Sequence, residues 1–142
     1  MMVLDSSVLV AFFLKSDLHC QHVRWWFQSV PREQMIYPSL ACIELACTLS
    51  RVGSSQEFIE ECLFLTNKIG ESIPLTEAIM ISAIQIGMKC KLRGADSVFV
   101  ATAYDKKAQL VTLDKEQADR SCSIIPVINL LDLRSRNNSD QP

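Results

Sequence analysis

The chain has 142 residues, 49% of them hydrophobic, and a formal net charge of −2 at pH 7, which suits one domain with a proper core and gives no overall pull toward nucleic acid or an anionic membrane. No stretch approaches the roughly 18 uninterrupted apolar residues of a membrane helix, and the N-terminus lacks the basic start and small-residue cleavage site of a signal peptide, so a cytoplasmic protein with no membrane association is expected. Cys20, Cys42, Cys47, Cys62, Cys90 and Cys122 form no C-x-x-C pair, which argues against a zinc site or a disulfide framework and for reduced, mostly buried small hydrophobes.

In chain order, residues 2–5 (MVLD) predict a strand, and Ser6 or Ser7 is a candidate cap for a helix running from Val8 to Leu14. A break at 17–19 precedes a helical spacing of apolar residues in HCQHVRWWFQSV, which stops at Pro31. MIY at 35–37 predicts a short strand. Pro38 and Ser39 open a helix, SLACIELACTLSR, that ends before Gly53, and another helix spans 56–69 up to Gly70. SIPL is a small strand candidate. Thr76 and Glu77 start a helix through Ile86, KCKLRG reads as a basic loop, and a helix is expected from about Ala95 to Lys107. AQLVTL is a strand, 114–120 a short helical turn, and SIIPVINL a last strand.

Strands alternating with helices predict an α/β domain over residues 1–133, with a mainly parallel central sheet covered on both faces. The polar tail, 134–142, is expected to be disordered. In such folds ligands sit beyond the carboxyl ends of the strands, which draws attention to acids there. Asp5 closes the first strand and Asp114 the strand AQLVTL, so both project at one rim, although each is equally explained as a helix cap. Glu44 has Leu40, Ala41, Cys47 and Thr48 as neighbours one turn away. It therefore lies on or beside an apolar stripe, where an unpaired carboxylate is costly, unless it is a solvated edge position. Asp96 falls in the first turn of its helix, where the helix dipole alone would favour it.

Were these four to meet, each pair of charges at 4 Å would repel by about 4 kcal/mol at an effective dielectric of 20. Such a cluster calls for a cation, and oxygen-only ligands favour Mg²⁺ or Mn²⁺ over zinc. One or two such ions would activate water and stabilise the leaving oxygen in phosphodiester hydrolysis.

The ordered set VLDSSVLVAFF, ACIELACTLSR, LRGADSVFVATAYDKKAQLVTLD and IIPVINL resembles PIN-domain ribonucleases, most closely the compact VapC-type toxins of toxin–antitoxin pairs. The resemblance covers essentially Met2 to Asp132. It implies a PIN-like three-layer α/β/α fold and Mg²⁺- or Mn²⁺-dependent endonuclease cleavage of RNA, with water as the nucleophile. By position it places the family's acids on Asp5, Glu44, Asp96 and Asp114, and hydroxyl-bearing positions beside them on Ser6 and Thr112. Many relatives carry a further acid soon after the fourth, whereas this chain has Lys115, then Glu116, with Asp119 beyond. The resemblance also implies a small antitoxin partner and a homodimer.

Lys89, Lys91 and Arg93 could hold RNA phosphates or simply form a solvated loop. Trp25, Trp26 and Phe27 are adjacent on one helix and cannot all face one core, so at least one is expected to be exposed or at an interface. His19 and His22 share a helical spacing suited to metal, but nothing nearby completes a site, and surface histidines are expected. Alternatives to a toxin are a PIN ribonuclease in RNA processing and a catalytically silent RNA- or protein-binding module. A phosphatase with an aspartyl nucleophile would place a second aspartate where this chain has Ser7, and a receiver domain would need a lysine beyond a late strand, which IIPVI does not offer.

Overall fold

Three runs, β1 (Met2–Leu4), β2 (Met35–Pro38) and β4 (Gln109–Thr112), are apolar at nearly every position and almost wholly buried, as befits strands covered on both faces. In the computed structural model, which describes residues 1–31 and 34–133, they form the centre of a five-stranded sheet whose edges are β3 (Glu71–Ile73) and β5 (Val127–Asn129). The order is β3-β2-β1-β4-β5, and every pairing is parallel. The expected three-layer α/β/α arrangement is present. The tail expected over 134–142 lies outside the described residues.

Connections between parallel strands must cross over the sheet, and helices supply them: α1 (Ser6–Phe13) and α2 (Cys20–Ser29) between β1 and β2, α3 (Leu40–Arg51) and α4 (Gln56–Ile69) between β2 and β3, α5 (Glu77–Cys90) and α6 (Gly94–Asp105) between β3 and β4, and α7 (Lys115–Ser121) between β4 and β5. Helix α6 is the most deeply placed. Ser97, Phe99, Val100, Ala101, Thr102 and Ala103 are all buried, because α6 packs against α5 and against β1, β2 and β4 together.

The chain builds outward from β1 to β2 and β3, then returns to the other side of β1 for β4 and β5. The connections leaving β1 and β4 therefore diverge, and a crevice opens at their carboxyl ends. The register Leu4↔Val111 keeps those ends level, and the Asp5 amide donates to the Val111 carbonyl at 3.0 Å.

Several boundaries differ from the sequence reading. Helix α1 is capped by Asp5, not by Ser6 or Ser7: its carboxylate accepts from the Ser7 amide at 3.2 Å, and a carboxylate at that position outcompetes a hydroxyl inside the first turn. Pro38 ends β2 instead of opening α3, since the ladder to β1 has already finished at Ile36. Strand β3 starts at Glu71 rather than Ser72, and β5 is limited to Val127–Asn129. Helix α5 continues past Ile86 to Cys90 and α6 starts at Gly94, so Lys89 is helical and only residues 91–93 of KCKLRG form a loop. The cysteines are all free but not mostly buried: Cys20 and Cys62 are, Cys42 and Cys90 are half-buried, and Cys47 and Cys122 are exposed. Sulfur tolerates either environment, so apolar neighbours in sequence do not decide its burial. Trp26 and Phe27 are buried whereas Trp25 is 50% exposed, as their adjacency on one helix requires.

Gly70 sits where α4 meets β3, and a Cβ added there would lie 2.6 Å from the Met35 carbonyl oxygen. The obstacle is backbone of a central strand and cannot swing aside. Gly70→Ala is therefore expected to destabilise the fold by about 1–3 kcal/mol. Urea denaturation is the measurement, and an unchanged midpoint would show that β2 yields at this point.

Candidate active site

The crevice at the carboxyl ends of β1 and β4 is a cleft of about 460 Å³, and all four sequence-predicted acids line it. Asp5 comes from the end of β1, Asp114 from the residue that caps α7, Glu44 from α3 and Asp96 from the first turn of α6. Asp5 and Asp114 are helix caps and cleft residues at once, so the two readings of each were not in competition. Ser6, Ser7, Thr48 and Arg93 complete much of the wall, together with Asp17 and His19 from the connection between α1 and α2.

Asp5 is 4% exposed. Its Oδ2 accepts from the Ser7 hydroxyl, from the Ser7 amide at 3.2 Å and from Thr112 Oγ1 at 3.2 Å, and its Oδ1 faces Gln117 Nε2 at 3.4 Å. The Ser7 hydroxyl also accepts from the Leu113 amide at 3.2 Å, and Thr112 Oγ1 accepts from the Asp114 amide at 2.9 Å. Ser7 and Thr112 thus bolt the ends of β1 and β4 together around one carboxylate. Thr112 has the contact expected of it, but Ser7 rather than Ser6 is the serine that holds Asp5, because Ser7 is the residue whose hydroxyl reaches back over the first turn. Burial pushes the Asp5 carboxyl up to about 6, against the lowering effect of the Ser7 donors, and the nearby Asp96 charge adds to the rise.

Asp96 and Asp114 share a single counter-charge. Arg93 Nε lies 2.9 Å from Asp96 Oδ2 and Arg93 Nη2 lies 2.8 Å from Asp114 Oδ2. Burial also raises the Asp96 carboxyl above its ordinary value; Arg93 opposes that, and the charges of Asp114 and Glu116 reinforce it. Glu44 is different. Its Oε2 is buried with no hydrogen-bond partner among the described residues, a condition that costs free energy unless something cationic meets it.

Of the three basic candidates, Arg93 alone lines this cleft. Lys89 lies in another groove with Ser82, Gln85 and Tyr104, and Lys91 is exposed at the left-handed C-cap of α5 with φ 58°. Glu116 and Asp119 face solvent and pair with Arg120 and Lys115, each at 2.8 Å, so neither lines the cleft. His19 and His22 are not a pair of surface groups on one helix: His19 precedes α2, is half-buried and lines the cleft, whereas His22 Nε2 lies 2.7 Å from the Leu130 carbonyl oxygen. Thr48 follows Glu44 by one helical turn and was readable from that spacing. Gln117 stands 112 residues from Asp5 and left no local signal.

The donor chemistry fits a hard divalent cation. The wall is dominated by oxygen donors, carboxylates with the hydroxyls of Ser6, Ser7 and Thr48, beside one imidazole, His19; one carboxylate oxygen is buried and orphaned, and a guanidinium already stands between two others. Among the described residues no set of three acid, histidine or cysteine side chains is drawn close enough to form a ready metal cage.

The raised Asp5 carboxyl has a consequence for stability. Because the folded-state value of about 6 exceeds the ordinary 3.8, the folded chain holds a proton that the unfolded chain releases. The group favours folding most below pH 3.8, and that contribution is lost as pH rises through about 6. At pH 7 the penalty is on the order of 3 kcal/mol. Asp5→Asn removes it, and Gln117 Oε1, buried without a partner, can accept from the new amide once the Gln117 amide turns over. The variant is expected to melt at least about 4 °C higher than wild type at pH 7 and to show a flatter stability profile between pH 4 and 7. An equal or lower melting temperature with the same pH profile would remove Asp5 as the source.

Comparison with known proteins agrees with this geometry. A family model described as PIN domain matches residues 2–121. No curated protein matches the chain. Among solved structures, the fold is similar to FitAcB from Neisseria gonorrhoeae (TM-score 0.74, 17% identity, covering 92% of this chain and 99% of that one) and to a toxin-antitoxin complex from Klebsiella pneumoniae (TM-score 0.73, 15% identity, 92% and 98%). It is also similar to VapC20 from Mycobacterium tuberculosis, a sarcin-ricin loop cleaving toxin (TM-score 0.74, 12% identity, 84% and 94%). With its five parallel strands and an acid-lined cleft at their switch point, the chain belongs to the PIN-domain family.

Proposed function

We propose that this protein is a metal-dependent endoribonuclease that hydrolyses RNA phosphodiester bonds in the cytoplasm, as the toxin of a toxin–antitoxin pair. The observation that carries the reading is Glu44 Oε2, buried without a partner on the wall of a cleft shared with Asp5, Asp96 and Asp114. Asp5, Glu44, Asp96 and Asp114 are the residues that would hold Mg²⁺ or Mn²⁺. When bound, the ion supplies activation of water and stabilisation of the leaving oxygen.

The chain's own residues prepare for that chemistry. Ser7 and Thr112 hold Oδ2 of Asp5 in one orientation, leaving Gln117 as the donor to Oδ1, so the carboxylate is positioned before any ligand arrives. Burial pushes the Asp5 carboxyl up to about 6, and a neighbouring cation would favour its charged form. Ser6 lies on the same wall and is suited to orient a carboxylate or a water molecule.

A toxin role is supported by the likeness to toxins and toxin-antitoxin complexes and by exposed apolar side chains on the helices: Trp25, Ile43 and Phe64 are 50%, 62% and 61% exposed. These offer a surface for a small antitoxin. A second copy of the chain is the proposed occupant of the α5 face, where Met80, Ile84 and Met88 line an apolar groove of about 510 Å³. Among the described residues no helix is long and apolar enough to cross a membrane.

Purified protein is expected to cleave end-labelled RNA with Mn²⁺ or Mg²⁺, to stop with EDTA, and to lose at least about a hundredfold in rate as Asp96→Asn. Cleavage that survives chelation or that substitution would sink the reading. Ile84→Glu places a charge in the α5 groove and is expected to convert a dimer to monomer in sedimentation velocity, with the fold intact by circular dichroism. A wild-type monomer would remove the dimer.

A further inference from the structure

We propose that Arg93 acts as a built-in counter-cation: it pairs with the carboxylates of Asp96 and Asp114, and a divalent ion entering the cleft would release its guanidinium to an RNA phosphate. This rests on the reading of the cleft as a metal-dependent RNA site. The guanidinium forks between acids from two elements, α6 and the cap of α7, at 2.9 and 2.8 Å. A planar fork suits that double contact, which a lysine could not reproduce.

The backbone around Arg93 is held by main-chain bonds, whereas its side chain stands open to solvent. The Leu92 amide donates to the Gly87 carbonyl at 3.1 Å and the Ser97 amide to the Arg93 carbonyl at 3.0 Å. Arg120 donates to the Lys91 carbonyl while its other arm pairs with Glu116 at 2.8 Å. The Arg93 side chain, by contrast, is 72% exposed. Ion pairs so open to water are weak and readily exchanged. A divalent cation entering among Asp5, Glu44, Asp96 and Asp114 meets no such limit, because one of its partners, Glu44 Oε2, is buried and unpaired. Once an ion takes carboxylate oxygens, its two positive charges cancel part of the acids' pull on Arg93, whose guanidinium is left with free donors at the lip of the cleft. A phosphodiester oxygen is the anion that the proposed substrate would bring there, and arginine binds it bidentately. Exchange of this kind lets a chain of net charge −2 present a cation to RNA only when the metal is in place.

The test is calorimetric titration of Mn²⁺ into the full chain as wild type, Arg93→Gln and Lys91→Gln, without RNA. Lys91 is exposed and close in sequence but does not line the cleft, so its variant controls for loss of a nearby charge. Arg93→Gln is expected to bind Mn²⁺ about three- to tenfold more tightly than wild type, with Lys91→Gln unchanged. At saturating Mn²⁺, Arg93→Gln is then expected to raise KM for RNA severalfold while kcat changes little. It should also lower the slope of log KM against log salt by about one phosphate contact. Equal Mn²⁺ affinity in wild type and Arg93→Gln, or equal tightening in Lys91→Gln, would overturn the exchange and leave the metal site standing. No Mn²⁺ binding by wild type or Arg93→Gln would overturn both.

Discussion

A carboxylate that is 4% exposed, at the point where two parallel strands end side by side, is the constraint on which the rest of this structure depends. Asp5 could not remain there without donors. They arrive from α1 as Ser7, from β4 as Thr112 and from α7 as Gln117, so a single group fixes the relative placement of three elements. Even with these donors its carboxyl is pushed up to about 6: desolvation wins over hydrogen bonding. The fold carries a cost on the order of 3 kcal/mol at neutral pH to keep the group in place, a sizeable part of the stability of an ordinary domain.

The other acids are arranged so that the expense is not repeated. Asp96 and Asp114 keep 18% and 26% side-chain exposure and share one guanidinium. Pairs whose cation stands in water are weak, so Arg93 offsets repulsion without locking the cleft. Glu44 Oε2 is buried and has no partner among the described residues. The cleft is therefore graded, from a fully built carboxylate at Asp5, through a weakly countered pair, to an orphaned oxygen on α3. That gradient leaves the orphaned oxygen on the wall of the cleft.

The crevice itself is a product of topology. Strand order β3-β2-β1-β4-β5 makes the chain leave β1 and β4 in opposite directions, and no side chain is needed to hold that gap open. Helix α6 crosses beneath it against β1, β2 and β4, which brings Asp96 to the rim although it is remote in sequence from Asp5. The same crossing explains why α6 is buried around most of its circumference, with Phe99 and Val100 fully excluded from solvent.

Local patterning by itself determined the elements and the acids. Apolar runs specify buried parallel strands, 3.6-residue spacing specifies the helices, and a glutamate beside an apolar stripe or an aspartate after a strand is conspicuous because burial of charge is costly. Two adjacent serines after Asp5 are equivalent in such a pattern, and only the turn of α1 decided that Ser7 closes on the carboxylate. KCKLRG reads as basic throughout, yet tertiary structure sent Lys89 to one groove, Lys91 to solvent and Arg93 into the acid cleft. Gln117 and His19 became part of the site through contacts that join distant segments. The physical reason is range: hydrophobic periodicity and helix capping act over a few residues, whereas the pairing of a charge is settled by whichever group the fold brings within about 3 Å.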